Sequence, residues 1–449
     1  MFSAIALAGA ILLLASARHA DAATGTLHQL RGGAGCLVDS SAKRGGCTTA
    51  RALKGPASFT GSHAVAASPD GRNVYVASST SNAVAEFRRS PKDGSLTQPS
   101  GAAGCISAGG SGGCAPGPAL RKPVSVAVSP DGKNVYAASM TASAVVVMAR
   151  KGGALRQTGC VAAVALPGCT TAPALLGADV VVVSPDGNNV YVGAFGEAAV
   201  AVFARDASTG ALTPAGCIAD GTAGCAPAAL MAGPEGMTVS PDGNNVYVGA
   251  AISNAVVVLN RDPSTGALSQ APAPAGCMTL AAASGCTTVQ AVQGADAVAV
   301  SPDGTSVYVA AGLQDGAAAF ARDTQTGALT QMSGTAGCFL ATIAQGCGLG
   351  RAFVDPEGVA VSPDGASTYV GAFASSAVDT FARDATSGAL TQDTRPPGCI
   401  VAVPTPTCRT GPALGAANAV EVSPDGRNVY AGAFAANAVA VFARTRRSG

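Results

Sequence analysis

Apolar residues fall in short runs along this chain, and turn residues separate the runs. In one stretch a β-branched run at residues 179–183 ends in Ser-Pro-Asp-Gly at 184–187, and further apolar runs follow at 189–192, 199–203 and 211–213. Proline presets φ for a type I turn and glycine takes the left-handed position after it, so the tetrapeptide predicts a tight turn between strands. The pattern predicts a unit of four short strands without helical periodicity.

This unit is repeated seven times. The aspartates of the seven Ser-Pro-Asp-Gly copies are Asp70, Asp131, Asp186, Asp242, Asp303, Asp364 and Asp425. A tyrosine follows each aspartate by five positions, and these are all seven tyrosines of the chain. A repeat of this length with strands that are apolar on both faces indicates radially stacked sheets. We therefore predict an all-β protein, a seven-bladed β-propeller of four-stranded antiparallel blades.

The two ends of the chain predict how the ring closes. Residues 24–30 match the fourth-strand pattern, whereas the last copy stops after its third strand at 438–442. A propeller must pair its final sheet edges, since an unpaired edge invites aggregation. We therefore predict that the N-terminal strand pairs into the last blade.

The 14 cysteines follow the same period, with one closely spaced pair per repeat. The pairs are Cys36/Cys47, Cys105/Cys114, Cys160/Cys169, Cys217/Cys225, Cys277/Cys286, Cys338/Cys347 and Cys399/Cys408. An even count in local pairs predicts seven short-range disulfides, while the spacing and the three histidines fit zinc poorly. Such a set predicts an oxidising compartment.

The first residues support that compartment. Residues 4–17 are apolar but too short for a comfortable membrane span, and a small-x-small site follows at 20–22. We predict a signal peptide over residues 1–22 and one propeller domain over 23–449; an uncleaved anchor is the alternative. With 27 basic and 26 acidic residues, nucleic acid is not an expected partner. We expect a secreted monomer, extracellular or periplasmic, with no membrane span after cleavage.

One ring of residues carries the candidate chemistry. The first residue of each innermost strand is predicted to face the central channel on the disulfide-loop side. In blade order these residues are His63, Val124, Asp179, Glu235, Asp296, Glu357 and Asn418. The other channel-lining positions read as Val, Ala, Met or similar residues, so four acids in consecutive blades stand out.

Crowded carboxylates repel each other, so their pKa values rise or a cation compensates. One hypothesis is a divalent cation, with calcium as the candidate, held by oxygen ligands from Asp179, Glu235, Asp296 and Glu357. The alternative is that these side chains cap turns or bond to the neighbouring blade's backbone across a water-filled channel.

Three recurring motifs give the chain a family resemblance. They are Val-Ala-Val-Ser-Pro-Asp-Gly-x-x-Val-Tyr-Val, Asn-Ala-Val-x-x-Phe and Arg-Asp-x-x-Thr-Gly-Ala-Leu-Thr. Over residues 24–445 the chain resembles the lactonase-like seven-bladed propellers, the family of 6-phosphogluconolactonase and 3-carboxymuconate cyclase. The resemblance implies an active site at the channel mouth, built from His and Glu at the starts of inner strands. An Arg would bind the substrate's carboxylate or phosphate.

The matching positions are His63, Glu235 and Glu357, which the resemblance implies as catalytic. Two departures stand beside them: the ring has no arginine, and Val124 and Asn418 flank His63. Arg121 and Lys122 are the nearest cations to the ring in the sequence. An anionic lactone would meet unfavourable negative potential at such a mouth.

Two functions follow from these features. The first, which we favour, is a secreted propeller that binds a small ligand, a cation or a protein partner at the disulfide-loop face of its channel. The second is a lactonase-like hydrolase or cyclase that uses His63 as general acid or base with a channel carboxylate.

Overall fold

The computed structural model describes residues 25–42, 45–56, 63–151, 154–283, 285–344, 346–393 and 398–446. These residues form seven small, mainly antiparallel sheets that are the blades of a β-propeller. Blade 1 contains the turn at Asp70, and the blades follow in chain order to blade 7 with the turn at Asp425. Within the described ranges, no helix is long and apolar enough to cross a membrane. The predicted signal peptide, residues 1–22, lies outside those ranges.

Three antiparallel strands make the inner part of each blade. The innermost strands are Val65–Ala67, Pro123–Val128, Ala178–Val183, Pro234–Val239, Ala295–Val300, Pro356–Val361 and Ala417–Val422. The second strands are Asn73–Ser78, Asn134–Ser139, Asn189–Ala194, Asn245–Ala250, Ser306–Ala311, Ser367–Ala372 and Asn428–Ala433. The third strands are Ala83–Arg89, Ala144–Lys151, Ala199–Arg205, Ala255–Arg261, Gly316–Arg322, Ala377–Arg383 and Ala438–Arg444.

The outer part of each blade has more than the single fourth strand that the sequence predicts. The fourth strand is continuous in blades 2 and 3, as Ala154–Ala162 and Leu212–Ala219. In the other blades it is split into Leu96–Thr97 and Cys105–Ser107, Leu268–Gln270 and Cys277–Thr279, Leu329–Gln331 and Cys338–Leu340, Leu390–Gln392 and Cys399–Val401, and Leu27–Gln29 and Cys36–Asp39. A short parallel edge strand follows in every blade: Thr48–Ala50, Ala115–Pro116, Thr170–Thr171, Ala226–Pro227, Thr287–Thr288, Gly348–Leu349 and Arg409–Thr410. The blades therefore have five or six strands.

Six short 3₁₀ turns complete the described elements. They are Gly32–Gly35, Gly101–Gly104, Ser111–Gly113, Phe195–Glu197, Gly312–Gln314 and Gly334–Ala336. Gly32–Gly35, Gly101–Gly104 and Gly334–Ala336 lie where the fourth strand is interrupted. Phe195–Glu197 and Gly312–Gln314 connect second strands to third strands on the channel-mouth side of the ring.

The predicted ring closure is confirmed. Leu27–Gln29 pairs antiparallel with the end of Ala438–Arg444, and Cys36–Asp39 pairs with its beginning. The hydroxyl of Tyr369 in blade 6 donates to the carbonyl of Gly25 at 2.8 Å. The chain's beginning thus completes blade 7 and is bonded to blade 6.

All seven predicted disulfides are present. In each blade the first cysteine lies in the fourth strand, and the second lies immediately before the edge strand. Cysteine pairs therefore fix the parallel edge strands, which are too short to hold themselves. Chain-entropy arithmetic allows about 2–3 kcal/mol of stabilisation for each of these small loops.

The repeated aspartate and tyrosine have a second role between blades. At the end of each third strand, or one residue before it in blade 2, an arginine bonds to the aspartate turn of the preceding blade. Arg322, for example, donates to Asp242 at 2.8 Å and to the Tyr247 hydroxyl at 2.6 Å. Because these arginine side chains are buried or nearly so, the seven contacts join neighbouring blades around the whole ring.

Candidate functional site

A β-bulge begins the innermost strand in blades 2 to 7. The extra residue at each bulge is the predicted ring residue: Val124, Asp179, Glu235, Asp296, Glu357 or Asn418. A bulge re-aims one side chain out of the regular pleat, and such bulges are common beside active sites. The local backbone, rather than the strand alternation alone, therefore presents this ring to the channel mouth.

Three of the predicted acids meet in one cavity of 310 Å³ at the mouth. Its lining residues are Glu235, Ala251, Ile252, Asp296, Leu313, Asp355 and Glu357. Asp179 does not line this cavity, but it is buried and its charge acts on Glu235. The structure thus brings together the acids of blades 4, 5 and 6 and adds Asp355, which sequence reasoning did not single out.

Glycines provide the space for these carboxyl groups. A Cβ on Gly236 would lie 2.7 Å from the backbone oxygen of Asp296 in the next blade, and one on Gly358 would meet the carbonyl of Asn418. A Cβ on Gly312 would lie 2.5 Å from both Asp296 Oδ2 and Asp355 Oδ1. Contacts this short are not tolerated, so the recurring Pro-Glu-Gly sequence lets adjacent inner strands approach closely behind each glutamate.

Hydrogen bonds fix the carboxyl groups. Glu235 and Asp296 share a side-chain hydrogen bond, so at least one of them carries a proton. The backbone N–H of Gly312 donates to Asp296 Oδ2 at 2.8 Å. Asn418 Nδ2 donates to Glu357 Oε2 at 3.1 Å. The arrangement is a hydrogen-bonded acid pair beside a third, separately anchored carboxyl group.

Burial raises the pKa values of all three acids. Desolvation is the main cause for both Glu235 and Asp296; repulsion from Asp179 further raises the pKa of Glu235, and repulsion from Glu235 further raises the pKa of Asp296. Burial, followed by repulsion from Asp355, raises the pKa of Glu357 to about 9. At neutral pH the mouth therefore presents Glu357 as a protonated carboxyl group, beside a Glu235–Asp296 pair that shares a proton and carries at most one negative charge, instead of a ring of charges.

The calcium hypothesis gains no support from the described residues. In the part of the chain that the structure describes, no group of three or more His, Cys, Asp and Glu side chains is placed to hold a metal ion. Because the carboxyl groups share or keep protons, the repulsion between carboxylates on which the calcium hypothesis rests is already reduced. The calcium site on Asp179, Glu235, Asp296 and Glu357 stays a prediction with no arranged set of ligands behind it.

His63 occupies a different place from the mouth acids. Its half-buried side chain lines two cavities of 260 Å³ within the channel, together with Val65, Thr238 and Glu421. Its carbonyl accepts a hydrogen bond from Val126 N at 2.9 Å. Burial lowers the pKa of His63 to about 4, so its imidazole is neutral at physiological pH. The predicted catalytic set is thus divided between the channel, with His63, and the mouth, with Glu235 and Glu357.

Glu421 was missed by the sequence reasoning, and the channel is less uniformly apolar than expected. It stands three residues after the ring position, where the other six blades have Ala66, Ala127, Val182, Thr238, Ala299 and Ala360. It accepts a hydrogen bond from Ala67 N of the adjacent blade at 3.2 Å, and burial raises its pKa to about 7. A comparison of the seven copies at this position would have revealed it.

The mouth cavity is also apolar and lacks cations. The side chains of Ile252 and Leu313 are 58% and 72% exposed at its edge. No lysine or arginine is among its lining residues. The arginine that the family resemblance implies for binding a substrate anion therefore has no counterpart among the described residues of this cavity.

Comparisons of whole folds agree with the propeller architecture. A periplasmic gluconolactonase from Pseudomonas aeruginosa is 20% identical, with a TM-score of 0.51 over 82% of this chain and 93% of that one. A candidate 6-phosphogluconolactonase from Bacteroides uniformis is 20% identical, with a TM-score of 0.51 over 73% and 82%. Hydrazine synthase from Kuenenia stuttgartiensis is 16% identical, with a TM-score of 0.52 over 87% and 96%. At these identities the likeness shows the shared fold.

Sequence comparison gives a narrower result. No curated protein matches the chain significantly. The profile of the family described as "Lactonase, 7-bladed beta-propeller" matches residues 122–411, which is more than half of the chain. This match covers the blades that contribute Asp179, Glu235, Asp296 and Glu357. The chain belongs to the lactonase family of seven-bladed β-propellers.

Proposed function

We propose that this protein is a lactone hydrolase whose active site is the mouth cavity between blades 4, 5 and 6. The observation that carries the proposal is the hydrogen-bonded Glu235–Asp296 pair beside protonated Glu357 in one cavity. Carboxyl groups with pKa values raised toward neutrality are suited to general acid and base catalysis. Membership of the lactonase family supports the same reaction class.

Lactone opening needs two proton transfers, and we assign one to the Glu235–Asp296 pair and the other to Glu357. The ionised member of the Glu235–Asp296 pair takes a proton from a water whose oxygen bonds to the lactone carbonyl carbon. As the ring carbon–oxygen bond breaks, Glu357 donates its proton to the leaving ring oxygen. One lactone and one water become one hydroxy acid, and exchange with solvent restores the starting protonation of both groups.

The cavity favours a neutral substrate. Ile252 and Leu313 offer apolar contact, and the absence of cations from the lining leaves nothing to pair with a phosphate or carboxylate on the substrate. The product carboxylate would be repelled by Asp355 and by the ionised member of the pair. We therefore propose an uncharged lactone with an aliphatic portion as substrate.

The test is hydrolysis of a panel of uncharged and phosphorylated lactones. We expect turnover of uncharged lactones, with a loss of about a hundredfold or more in kcat/KM for Glu235→Gln and for Glu357→Gln, since each removes a proton-transfer group. Glu197→Gln is the matched control, because Glu197 lies on the same face outside the cavity. Wild-type turnover that both glutamine variants retain would contradict the proposal.

His63→Ala separates this assignment from the one that the family resemblance implies. If the mouth acids carry the reaction, His63→Ala keeps most of the activity, because His63 lines the channel cavities and not the mouth. Activity that is lost with His63→Ala and kept with Glu357→Gln would move the active site to the channel, beside Glu421.

The same mouth favours a second candidate, the non-catalytic binding of a small ligand. The exposed Ile252 and Leu313 side chains support it, since apolar side chains at a concave site with a few polar groups are typical of ligand pockets. In that case calorimetry would detect lactone binding by the wild type without turnover, and binding would weaken in Glu357→Gln.

We also infer that the protein works in an oxidising compartment, secreted or periplasmic. The seven disulfides support this, since such sets persist outside the cytosol.

A further inference from the structure

A second cavity lies on the face opposite the mouth. It has a volume of 1030 Å³ and is formed by the aspartate turns of blades 7 and 1 and the ends of third strands in blades 1 and 2. Five arginines line it, together with Asn73 and the turn aspartates Asp70 and Asp425. We call it the arginine groove.

The connection that follows the third strand is shorter in blade 2 than in blades 1 and 3 to 6. In six interfaces a turn glycine lies directly against the first residue of the preceding blade's second strand; these glycines are Gly25, Gly94, Gly210, Gly266, Gly327 and Gly388. In blade 2 only four residues separate Arg150 from Leu155, against six between the corresponding arginine and leucine in blades 1 and 3 to 6. Asn73 of blade 1 holds the position equivalent to the residues that these glycines contact; it lines the groove and donates to Glu86 at 3.1 Å.

Charges are distributed unevenly around this face. The residue after each Ser-Pro-Asp-Gly turn is basic in blades 7, 1 and 2 (Arg427, Arg72 and Lys133) and uncharged in blades 3 to 6. The residue after the third-strand arginine is an acid in blades 3 to 6 and Ser, Lys or Thr in blades 1, 2 and 7. The groove therefore lies in the positive sector of the face.

Three arginines in the groove remain available for a ligand. Arg89 and Arg150 are bonded to Asp425 and Asp70 at 2.8 Å, so their charges are already compensated. Arg72, Arg88 and Arg427 are exposed, and none of them forms a salt bridge with another described residue. Guanidinium groups bind carboxylates and other oxyanions in a bidentate manner.

We propose that the arginine groove binds an acidic saccharide chain. Arg72, Arg88 and Arg427 would bind the carboxylates of successive uronate units. The side chains of Asp70 and Asp425 are 40% and 35% exposed, so they remain able to accept hydrogen bonds from sugar hydroxyls. No aromatic residue lines the groove to stack with nucleic-acid bases.

The experiment measures binding of galacturonate oligomers to the full chain by calorimetry, with the fully methyl-esterified oligomer as the uncharged counterpart. We expect binding of the acid form that weakens as salt rises and no binding of the ester. The combined variant Arg72→Gln, Arg88→Gln and Arg427→Gln should lose at least about tenfold in affinity, since three charge-assisted contacts disappear.

The matched control removes the same charge from the opposite face, as Lys54→Gln, Arg121→Gln and Lys122→Gln together. It should leave affinity within about twofold, and circular dichroism should show both variants folded. Failure of the wild type to bind, equal binding of the ester, or equal loss in the control would overturn the proposal. Tighter binding of single-stranded DNA of equal charge would also overturn it. Because the groove and the mouth lie on opposite faces, none of these results bears on the lactone hydrolase.

Discussion

Deletion of residues 25–31 should abolish the cooperative thermal unfolding of this protein. The deletion removes the strand Leu27–Gln29, its pairing with the last third strand and the bond from Tyr369 to Gly25. It also exposes the edge of Ala438–Arg444, which becomes free to pair with other chains. We expect broad, early melting and aggregation in differential scanning calorimetry.

Two neighbouring substitutions refine this expectation. Leu27 is fully buried, whereas His28 on the same strand is exposed. Leu27→Ala should destabilise the protein by about 2–5 kcal/mol, since it leaves a cavity in the core, and His28→Ala should have little effect. A deletion variant that melts like the wild type, or equal effects of the two alanine substitutions, would show that the ring does not depend on this strand.

Glu357→Gln should stabilise the protein at pH 8 while leaving it nearly unchanged at pH 4. The ordinary pKa of the group is 4.5, and in the folded protein burial raises the pKa to about 9. Between these values the unfolded chain loses the proton that the folded protein keeps. Folding therefore becomes less favourable as the pH rises through this window, at about 1.4 kcal/mol per pH unit for one group. Glutamine cannot titrate and escapes the penalty.

Chemical unfolding at several pH values measures the effect. We expect the stability difference between Glu357→Gln and the wild type to grow by several kcal/mol from pH 4.5 to pH 8. Glutamine keeps an oxygen that can accept the Asn418 hydrogen bond, so packing changes little. Glu197→Gln serves as control and should show no such growth. A difference that does not vary with pH would mean that Glu357 is ionised in the folded protein.

Much of the fold could be predicted from the sequence because each blade repeats the same local instructions. Ser-Pro-Asp-Gly encodes a turn, the flanking β-branched residues encode strands, and the closely spaced cysteines can reach only each other. The extra edge strand in each blade was not predicted, because a two-residue strand has no periodicity of its own. It exists because a disulfide holds it against the fourth strand.

Contacts between blades were harder to predict than contacts within them. The arginine near the end of each third strand repeats as regularly as the tyrosine, but its partners lie in the preceding blade, about 70–80 positions away in most interfaces. The ring acids at the mouth could be predicted because they break a repeat at a defined position. Glu421 breaks the repeat in the same way, but it lies between Val420 and Val422, in a run whose apolar residues indicated a core strand.

The most direct test of the protonated mouth is infrared difference spectroscopy between the wild type and Glu357→Gln across a pH series. A protonated carboxyl group has a carbonyl stretch distinct from that of a carboxylate. We predict a carboxylic-acid band that is still present at pH 7, is missing from the variant and disappears only toward pH 9, the folded-state pKa of Glu357. A wild-type band that vanishes by about pH 5.5, as for an ordinary glutamate, would contradict the account.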